Sequence, residues 1–510
     1  MRRYAAVDIG SNSIRMLAAE ISLRGITMPL AAERQVVRLG EGVFRSGRIG
    51  REAMDAAAAT LARFGEIYRR HNVVAVRAVA TSAVRDAGNQ QEFLERASQA
   101  LGANVEIISG QEEARLIHLG VQARWPQPGK RILIADVGGG SAELMLSENQ
   151  ALAVAFSKPL GAVRLTEVFL KSDPPAPLEL HQMHKFIDEK LAAPVLRIGR
   201  SRFDRVIATS ASAAAIVCAV NRVPRARRDD SDRLRASVSQ IRKLYQQLST
   251  TDVTGRRKML GIGPRRAEIV VAGVAVFLRI LETFQQPSLS YSSAGVRDGI
   301  IADLAARGAG SELLRLSRDQ RKTVESMARR YGVALPHARQ VARLGLHLFE
   351  SLQHAHRLPP AHGKLLEAAA YLHDVGHFVS DSSHHKHSYY LVANSDMPGF
   401  TVPERRIVAA LCRYHRKAAP TMRHPVFESF DADTRRAIVL LAPLLRLADS
   451  LDRSHDQRVA HLDVQWRNGT IALALSSPAD MDLEIWAAER NFNLFREVYQ
   501  MPITLVKAKP

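Results

Sequence analysis

Apolar residues in the first third of the chain fall in short runs separated by longer, helix-spaced stretches. Runs rich in Val, Ile and Ala at Tyr4–Val7, Met16–Ile21, Val73–Ala80 and Val105–Ile108 predict strands, and Arg51–Tyr68 and Gln90–Leu101 predict helices between them. Strands alternating with helices indicate an α/β layer architecture. The pattern restarts at Arg131–Ala135 and Leu144–Leu146, passes through a helix after Pro177, a strand at Val206–Ala208 and a long apolar helix at Arg266–Leu281, and ends near Ala305. From Gly308 the texture changes. His337, Val341, Leu344 and Leu348 recur at helical spacing, as do Leu365, Ala369 and Leu372, and Ile438, Leu441, Leu445 and Asp449, which predicts an all-α domain. Alternation returns only in Val459–Pro510, in LDVQW and TIALAL, with a final helix near Leu483–Tyr499, so a small α/β domain closes the chain. The predicted boundaries are 1–128, 129–306, 307–457 and 458–510.

The restart is an internal repeat, because VDIGSNSIRML at Val7–Leu17 aligns with ADVGGGSAELM at Ala135–Met145. In each, a strand delivers an Asp, Gly and Ser residues turn the chain, and a second strand leaves, as expected of duplicated domains that face one another. Such a hairpin aims backbone N–H groups into one concave space, where they hold phosphate oxygens, and Gly admits a ligand without a Cβ clash. Gly10, Ser11, Asn12 and Ser13 form one predicted cradle and Gly138, Gly139, Gly140 and Ser141 the other. Asp8 and Asp136 are candidate ligands of a divalent cation beside the phosphates. A single Gly-rich turn is commonly only a hairpin; two at matching positions of a repeat point to a site.

At 510 residues the chain is too long for one core and divides into about three or four domains. Apolar residues make up 46% and charged residues 24%, values of an ordinary globular protein that exclude a disordered or collagen-like chain. The net charge of +20 implies a polyanionic partner. Arg clusters occur at Arg225, Arg227 and Arg228, at Arg256, Arg257 and Lys258, and at Arg265 and Arg266; most are expected to be solvated helix faces. Aromatic residues are only 6% and none interleave with these clusters as a stacking platform, so specific nucleic-acid binding is the weakest reading. Cys218 and Cys412 stand far apart without metal-type spacing, which gives no disulfide framework and predicts a reducing compartment. No signal-peptide apolar region develops before Asp8, and the best apolar run, Ile269–Leu278, is half a membrane span, so a cytoplasmic enzyme without a membrane anchor is expected.

In the segment IISGQEEARLIHLGV at Ile107–Val121, Ser109 and Glu112 have the spacing of a capping box at a helix start, which gives Glu112 a structural task. Glu113 is left over. On the first helical turn the dipole favours its ionised form, and an ionised carboxylate in a phosphate cleft can orient or deprotonate an attacking water. Together the strings DIGSNSIRM, VATSAVRDAGN, ISGQEEARLI, DVGGGSAEL and SSAGVRDGI resemble the exopolyphosphatase and guanosine pentaphosphate phosphohydrolase family over essentially the whole chain. The resemblance implies two actin-like domains of the ASKHA type around a cleft, followed by a helical HD-type domain and a small C-terminal domain. It implies a catalytic role for Glu113, a metal ligand at Asp136, a second acid at Glu143, and phosphate-binding arginines at Arg15, Arg85 and Arg297. It also implies Mg²⁺ or Mn²⁺ as cofactor and a homodimer. One departure is ATSASAAA at Ala208–Ala215, where many members carry a Gly-Gly-Thr-like loop, so no nucleotide-base contact is transferred to Ser210 or Ser212.

His373 and Asp374 form an HD pair, with His337 on an earlier helix and Asp449 on a later one. The set resembles the metal ligands of HD phosphohydrolases, which implies a second divalent metal there, with His377, His384, His385, His387 and His415 as further contacts. Imidazole with carboxylate suits Mn, Fe or Zn better than Mg. The reaction expected is hydrolysis of the terminal phosphoanhydride of inorganic polyphosphate. The alternatives are removal of the 5′ γ-phosphate of guanosine pentaphosphate, and a polyphosphate-binding or stringent-response sensor, responsive to guanosine tetraphosphate or pentaphosphate, that has lost catalysis.

Overall fold

The computed structural model describes residues 2–22, 27–200, 203–224, 227, 231–307, 314–467 and 469–507. Arg225 and Arg228 of the first basic cluster lie outside them, as does Gly308. The chain forms two compact units, Met1–Ala306 and Arg307–Pro510.

The first unit contains two sheets. Strands β1 (Arg2–Ile9), β2 (Ser13–Ile21), β3 (Thr27–Val36), β4 (Ala75–Ala80) and β5 (Val105–Ile107) lie in the order β3-β2-β1-β4-β5. Strands β6 (Arg131–Val137), β7 (Ala142–Glu148), β8 (Ala151–Lys158), β9 (Arg205–Thr209), β10 (Arg235–Ser237) and β11 (Ser288–Tyr291) form the second, in the order β10-β11-β9-β6-β7-β8. Read from β8, the second sheet repeats the first: two antiparallel neighbours, the strand that carries the Asp, then two parallel ones, with β10 added at the edge. The registers repeat as well. Asp8 stands opposite Arg15 across β1 and β2, and Asp136 opposite Glu143 across β6 and β7. The edge strands β3 and β8 escape a pattern search because neither is buried on a clean alternate set of residues.

Two helices cross between the sheets and bring the repeats together. Helix Gly110–Arg124 follows β5, yet its Ala114, Ile117 and Val121 cluster with Ile132, Ile134, Met145 and Ile207 of the second sheet. Helix Val296–Arg307 follows β11, yet Ile300 and Ile301 cluster with Tyr4, Ala6 and Leu17 of the first. A Cβ added to Gly299 would stand 1.8 Å from the Leu116 carbonyl, and one added to Gly120 would stand 2.5 Å from the Gly295 carbonyl. Glycine at both positions is what permits the crossing. The apolar stretch read as Arg266–Leu281 is helical over Val270–Thr283 and buried in the second core. No helix among the described residues is long and apolar enough to cross a membrane.

The second unit is helical from Arg318 to Ser450, built on helices that include Leu335–Ser351, Ala361–Leu372, His384–Ala393, Val402–Tyr414 and Ala432–Ser450. A three-stranded sheet follows, β12 (His461–Arg467), β13 (Thr470–Ser476) and β14 (Ile503–Lys507), in that order. Its intervening segment is two short helices, Asp482–Glu489 and Phe492–Tyr499, rather than the one expected. The break falls at Asn491, whose amide donates to Ser450 Oγ at 2.8 Å.

Candidate active site

Each hairpin turn closes in the same way. Gly10 N–H donates to the Ser13 carbonyl at 3.2 Å, and Gly138 N–H to the Ser141 carbonyl at 3.0 Å. The outward carbonyls are also used: Asn12 accepts from Val37 and Arg38, and Gly139 from Val163 and Arg164. With its carbonyls tied back, each loop is left to offer N–H groups to the space between. That space is a cavity of about 340 Å³ lined by Asp8, Gly10–Ser13, Arg15, Glu113, Asp136, Gly138–Ser141 and Arg297. All of these are residues that the sequence places at the site. The Asn12 side-chain amide is buried there with a nitrogen that has no hydrogen-bond partner, a donor free for an anion.

The loop glycines divide into two kinds. A Cβ on Gly10 or Gly138 would meet nothing closer than its own turn, at 3.3 and 3.4 Å. A Cβ on Gly140 would stand 2.4 Å from Ser82 Oγ, 2.5 Å from the Phe44 ring and 2.9 Å from Ser11 Oγ, and one on Gly139 would stand 2.9 Å from Ser11. Gly139 and Gly140 therefore let one loop pack on the other, whereas Gly10 and Gly138 keep the pattern expected for ligand approach. Gly140→Ala is expected to lower the stability of the first unit by about 1–3 kcal/mol through overpacking, and Gly138→Ala by less; thermal unfolding of the two variants checks this.

Glu113 sits on the first turn of the crossing helix Gly110–Arg124, whose Ser109 cap accepts from Glu112 N–H at 3.2 Å. The reciprocal half of the capping box is replaced: the Glu112 carboxylate is bonded by Arg77 at 3.0 Å and Arg115 at 2.7 Å. Nor does the helix dipole keep Glu113 ionised as the sequence suggested. Burial, opposed by Arg85 and reinforced by the charges of Asp8 and Asp136, pushes its pKa up to about 7. Arg85 reaches Glu113 at 3.5 Å while donating to the Ile108 carbonyl at 2.8 Å. Arg297 donates to the Met16 carbonyl at 3.0 Å from the first turn of the other crossing helix.

Glu143 lies behind the cavity wall, 1% exposed, and accepts from Ser157 Oγ at 2.7 Å. Burial and the neighbouring charges of Glu113 and Asp136 raise its pKa well above the carboxylate range. Burial also raises Asp136, against the hydroxyl of Thr209 that donates to it and the charge of Arg15, and raises Asp8 against Arg15 and Arg297. Asp8 and Asp136 raise Glu113, Asp8 raises Asp136, and Glu113 and Asp136 raise Glu143, so a divalent ion bound beside them would relieve their repulsion, and hard carboxylate oxygens suit Mg²⁺ or Mn²⁺.

Several residues at the site carried no sequence signal. Thr209 and Ser157 reach it from strand ends. Arg164 donates to the Gly140 carbonyl at 2.7 Å, bonds Ser82 at 3.2 Å, pairs with Asp86 and covers the Phe44 ring at 4.0 Å, which fastens the second loop to the short helix Ser82–Asp86 and to Phe44. Arg266 and Arg34 line the cavity. In the preceding basic cluster the arginines are structural: Arg256 is buried on the Ala267 carbonyl at 2.7 Å and Arg257 pairs with Glu268 at 3.1 Å. Ser210, in the segment that departs from the Gly-rich pattern, lines the cavity at φ 88°, a conformation that favours glycine.

Residues 19–307 match the Ppx/GppA phosphatase family, and residues 320–489 match Ppx/GppA phosphatase domain III. A guanosine-5′-triphosphate,3′-diphosphate pyrophosphatase of Aeromonas hydrophila is 28% identical over 449 residues, 87% of this chain and 86% of its own. One of Aliivibrio fischeri is 28% identical over 479 residues, 92% and 91% of the two chains. Among solved structures, the Aquifex aeolicus Ppx/GppA family member is 27% identical with a TM-score of 0.54, covering 61% of this chain and 99% of its own. An exopolyphosphatase from Cytophaga hutchinsonii is 28% identical with a TM-score of 0.55, covering 59% and 97%. Both the unit that carries the two Gly-Ser loops and the helical unit after it have their counterparts in one group of proteins, and the chain belongs to the Ppx/GppA phosphatase family.

Proposed function

We propose that the cleft hydrolyses the terminal phosphoanhydride of inorganic polyphosphate and releases orthophosphate. The observation that carries this reading is Glu113: a carboxyl group with a pKa of about 7, aimed into a cavity whose other walls are two anion-holding loops. The loop N–H groups, the Asn12 amide, Arg15 and Arg297 bind the terminal phosphates. Glu113 takes a proton from the attacking water and Arg85 holds its carboxylate in place. Asp8, Asp136 and Glu143 would hold Mg²⁺ or Mn²⁺, which supplies positive charge against that developing on the phosphoryl oxygens. Positioning and charge neutralisation carry most of the rate in such a reaction. The duplicated strand order supports an actin-like reading of the two sheets.

The net charge of +20 and the arginines Arg15, Arg34, Arg266 and Arg297 on the cavity favour a long anion. The names of the Aeromonas and Aliivibrio relatives favour a second substrate, guanosine pentaphosphate, which ends in the same bond. Turnover of long-chain polyphosphate and of guanosine pentaphosphate, measured side by side, separates them. A higher kcat/KM on polyphosphate is expected, and a strong preference for the nucleotide would overturn the first choice. Absence of phosphate release from both would favour a binding sensor.

A further inference from the structure

The helical unit gathers His337, His373, Asp374 and Asp449: the two histidines stand 3.4 and 3.3 Å from Asp449 Oδ1, and His373 stands 3.5 Å from Asp374. Another face of helix Leu335–Ser351, which carries His337, borders a cavity of about 610 Å³, larger than the cleft cavity of about 340 Å³. Helices Arg318–Arg330 and Ala361–Leu372 and the start of β12 supply its other walls. A cavity of this size takes a small organic ligand. Leu346, Leu462 and Tyr371 give it an apolar side.

Two of its ion pairs are closed within the walls. Glu367, 2% exposed, accepts from Arg321 at 2.7 Å and from the Leu316 N–H at 2.8 Å, and Glu325 accepts from Arg339 at 2.9 Å. The groups left open are Arg343, His347 and Glu350, whose spacing puts them on one face of helix Leu335–Ser351. Arg343 has no carboxylate within ion-pair distance among the described residues. Its Nε and Nη2 donate to neutral acceptors, Gln340 Oε1 at 3.0 Å and the Val459 carbonyl at 2.9 Å, which fixes the guanidinium and leaves Nη1 uncommitted. His347 Nε2, one turn on, is buried without a hydrogen-bond partner among the described residues. The Glu350 carboxylate is approached by the exposed Arg315 at 3.7 Å, beyond hydrogen-bond distance.

A fixed guanidinium without an acid and a ring nitrogen without a partner form an oxyanion subsite, with His347 in the tautomer that carries its proton on Nε2. Glu350 stands seven residues from Arg343, which places an acceptor about 10 Å further along the helix axis. A ligand that satisfies both ends carries an oxyanion at one end and N–H donors at the other. An amino acid is too short to join them. A long polyanion is disfavoured as well, because the four arginines around the cavity face three glutamates. We propose that this cavity binds a nucleoside monophosphate whose base bears an amino group, with its phosphate on Arg343 and His347 and the edge of its base on Glu350. The sugar and base supply the length, and the base lies along the apolar side. Every group involved belongs to the helical unit, so the site is separate from the cleft.

The test is calorimetric titration of the full-length protein with GMP, which has no phosphoanhydride for the cleft to break and whose guanine presents N–H groups on one edge. Wild type is expected to bind one GMP per chain, with ribose 5-phosphate and inorganic phosphate about tenfold weaker or worse, since neither reaches Glu350. Arg343→Gln and His347→Leu should each weaken GMP by about tenfold or more, the loss of one hydrogen bond to a charged phosphate. Glu350→Gln should bring GMP down to the level of ribose 5-phosphate and leave ribose 5-phosphate itself unchanged. Arg297→Gln, in the cleft, should leave GMP binding as it is. Failure of wild type to bind GMP, inorganic phosphate bound as tightly as GMP, or GMP binding kept in Arg343→Gln and lost in Arg297→Gln would each overturn the proposal. Thermal melting shows whether each variant is folded, and the wild-type ranking of the three ligands decides the matter where one is not.

Discussion

Glu113→Gln is expected to lower kcat by about two to four orders of magnitude, the usual loss when a general base is removed, while making the protein more heat-stable above pH 7. The two effects have one origin. Burial and the charges of Asp8 and Asp136 push the pKa of Glu113 up to about 7 although Arg85 opposes them. A folded-state pKa raised above the unfolded value means that the native site binds its proton more tightly than the unfolded chain does. For this group, native stability is therefore greatest below the unfolded pKa and falls as pH rises toward 7 and the carboxyl ionises in place. Glutamine keeps the shape and removes the ionisation, so a gain in Tm on the order of a few degrees is expected at pH 8 and little or none at pH 5. The wild-type rate should fall about tenfold per pH unit on the acid side, because only the ionised carboxylate accepts the proton. Arg85→Gln removes the charge that holds the pKa down and should move that acid limb to higher pH. Unchanged phosphate release by Glu113→Gln would sink the assignment, and a Tm that does not rise at pH 8 would sink the electrostatic account of it.

What the sequence showed and what it hid follow from how each residue reaches the cleft. The two loops were legible because Asp, Gly and Ser sit contiguously at a strand turn and recur in register, so Asp8 and Asp136 announce each other. Glu113 was legible by elimination beside Ser109 and Glu112. Its protonation was not, because burial and the approach of Asp8 and Asp136 are tertiary facts that outweigh the local helix dipole. Thr209, Ser157 and Arg164 each contribute one polar atom from an otherwise ordinary strand end or helix, and a single hydroxyl leaves no periodicity to read. Gly140 looked like a ligand-approach glycine and is a packing one, since only the fold brings Ser82 and Phe44 against it. In the helical unit the HD pair was visible, but which histidines face each oxygen of Asp374 depends on helices far apart in the chain.

Arg77→Met should cost the fold about 3–5 kcal/mol, the largest stability loss expected of a single substitution in the first unit outside the cleft. Arg77 is 6% exposed on β4 and bonds Glu106 at 2.7 Å, Glu112 at 3.0 Å and Asp303 at 3.1 Å. Arg115 completes the set, bonding Glu112 at 2.7 Å and Asp303 at 2.8 Å. Burial works against ionisation of Glu112, but Arg115 and Arg77 outweigh it and hold its pKa below the usual range. A depressed acid pKa contributes stability that is present at neutral pH and lost as pH falls through the folded value, so the network strengthens the unit at pH 7 and fails in acid. Removing Arg77 leaves buried carboxylates short of a cation, which is far more costly than breaking an exposed pair; Arg3→Ala, at a pair 43% exposed on the Arg side, should change stability by about 1 kcal/mol or less. The consequence reaches the chemistry through the backbone. Glu112 and Arg115 flank Glu113 on one crossing helix and Asp303 lies on the helix whose first turn carries Arg297, so the network fixes how the ends of both helices present their side chains to the loops. Among Arg77→Met molecules that remain folded, kcat should therefore fall while the pH of the acid limb changes little, because the charges facing Glu113 across the cavity are intact. An acid limb displaced by a full pH unit would mean that the network tunes the base electrostatically rather than positioning it.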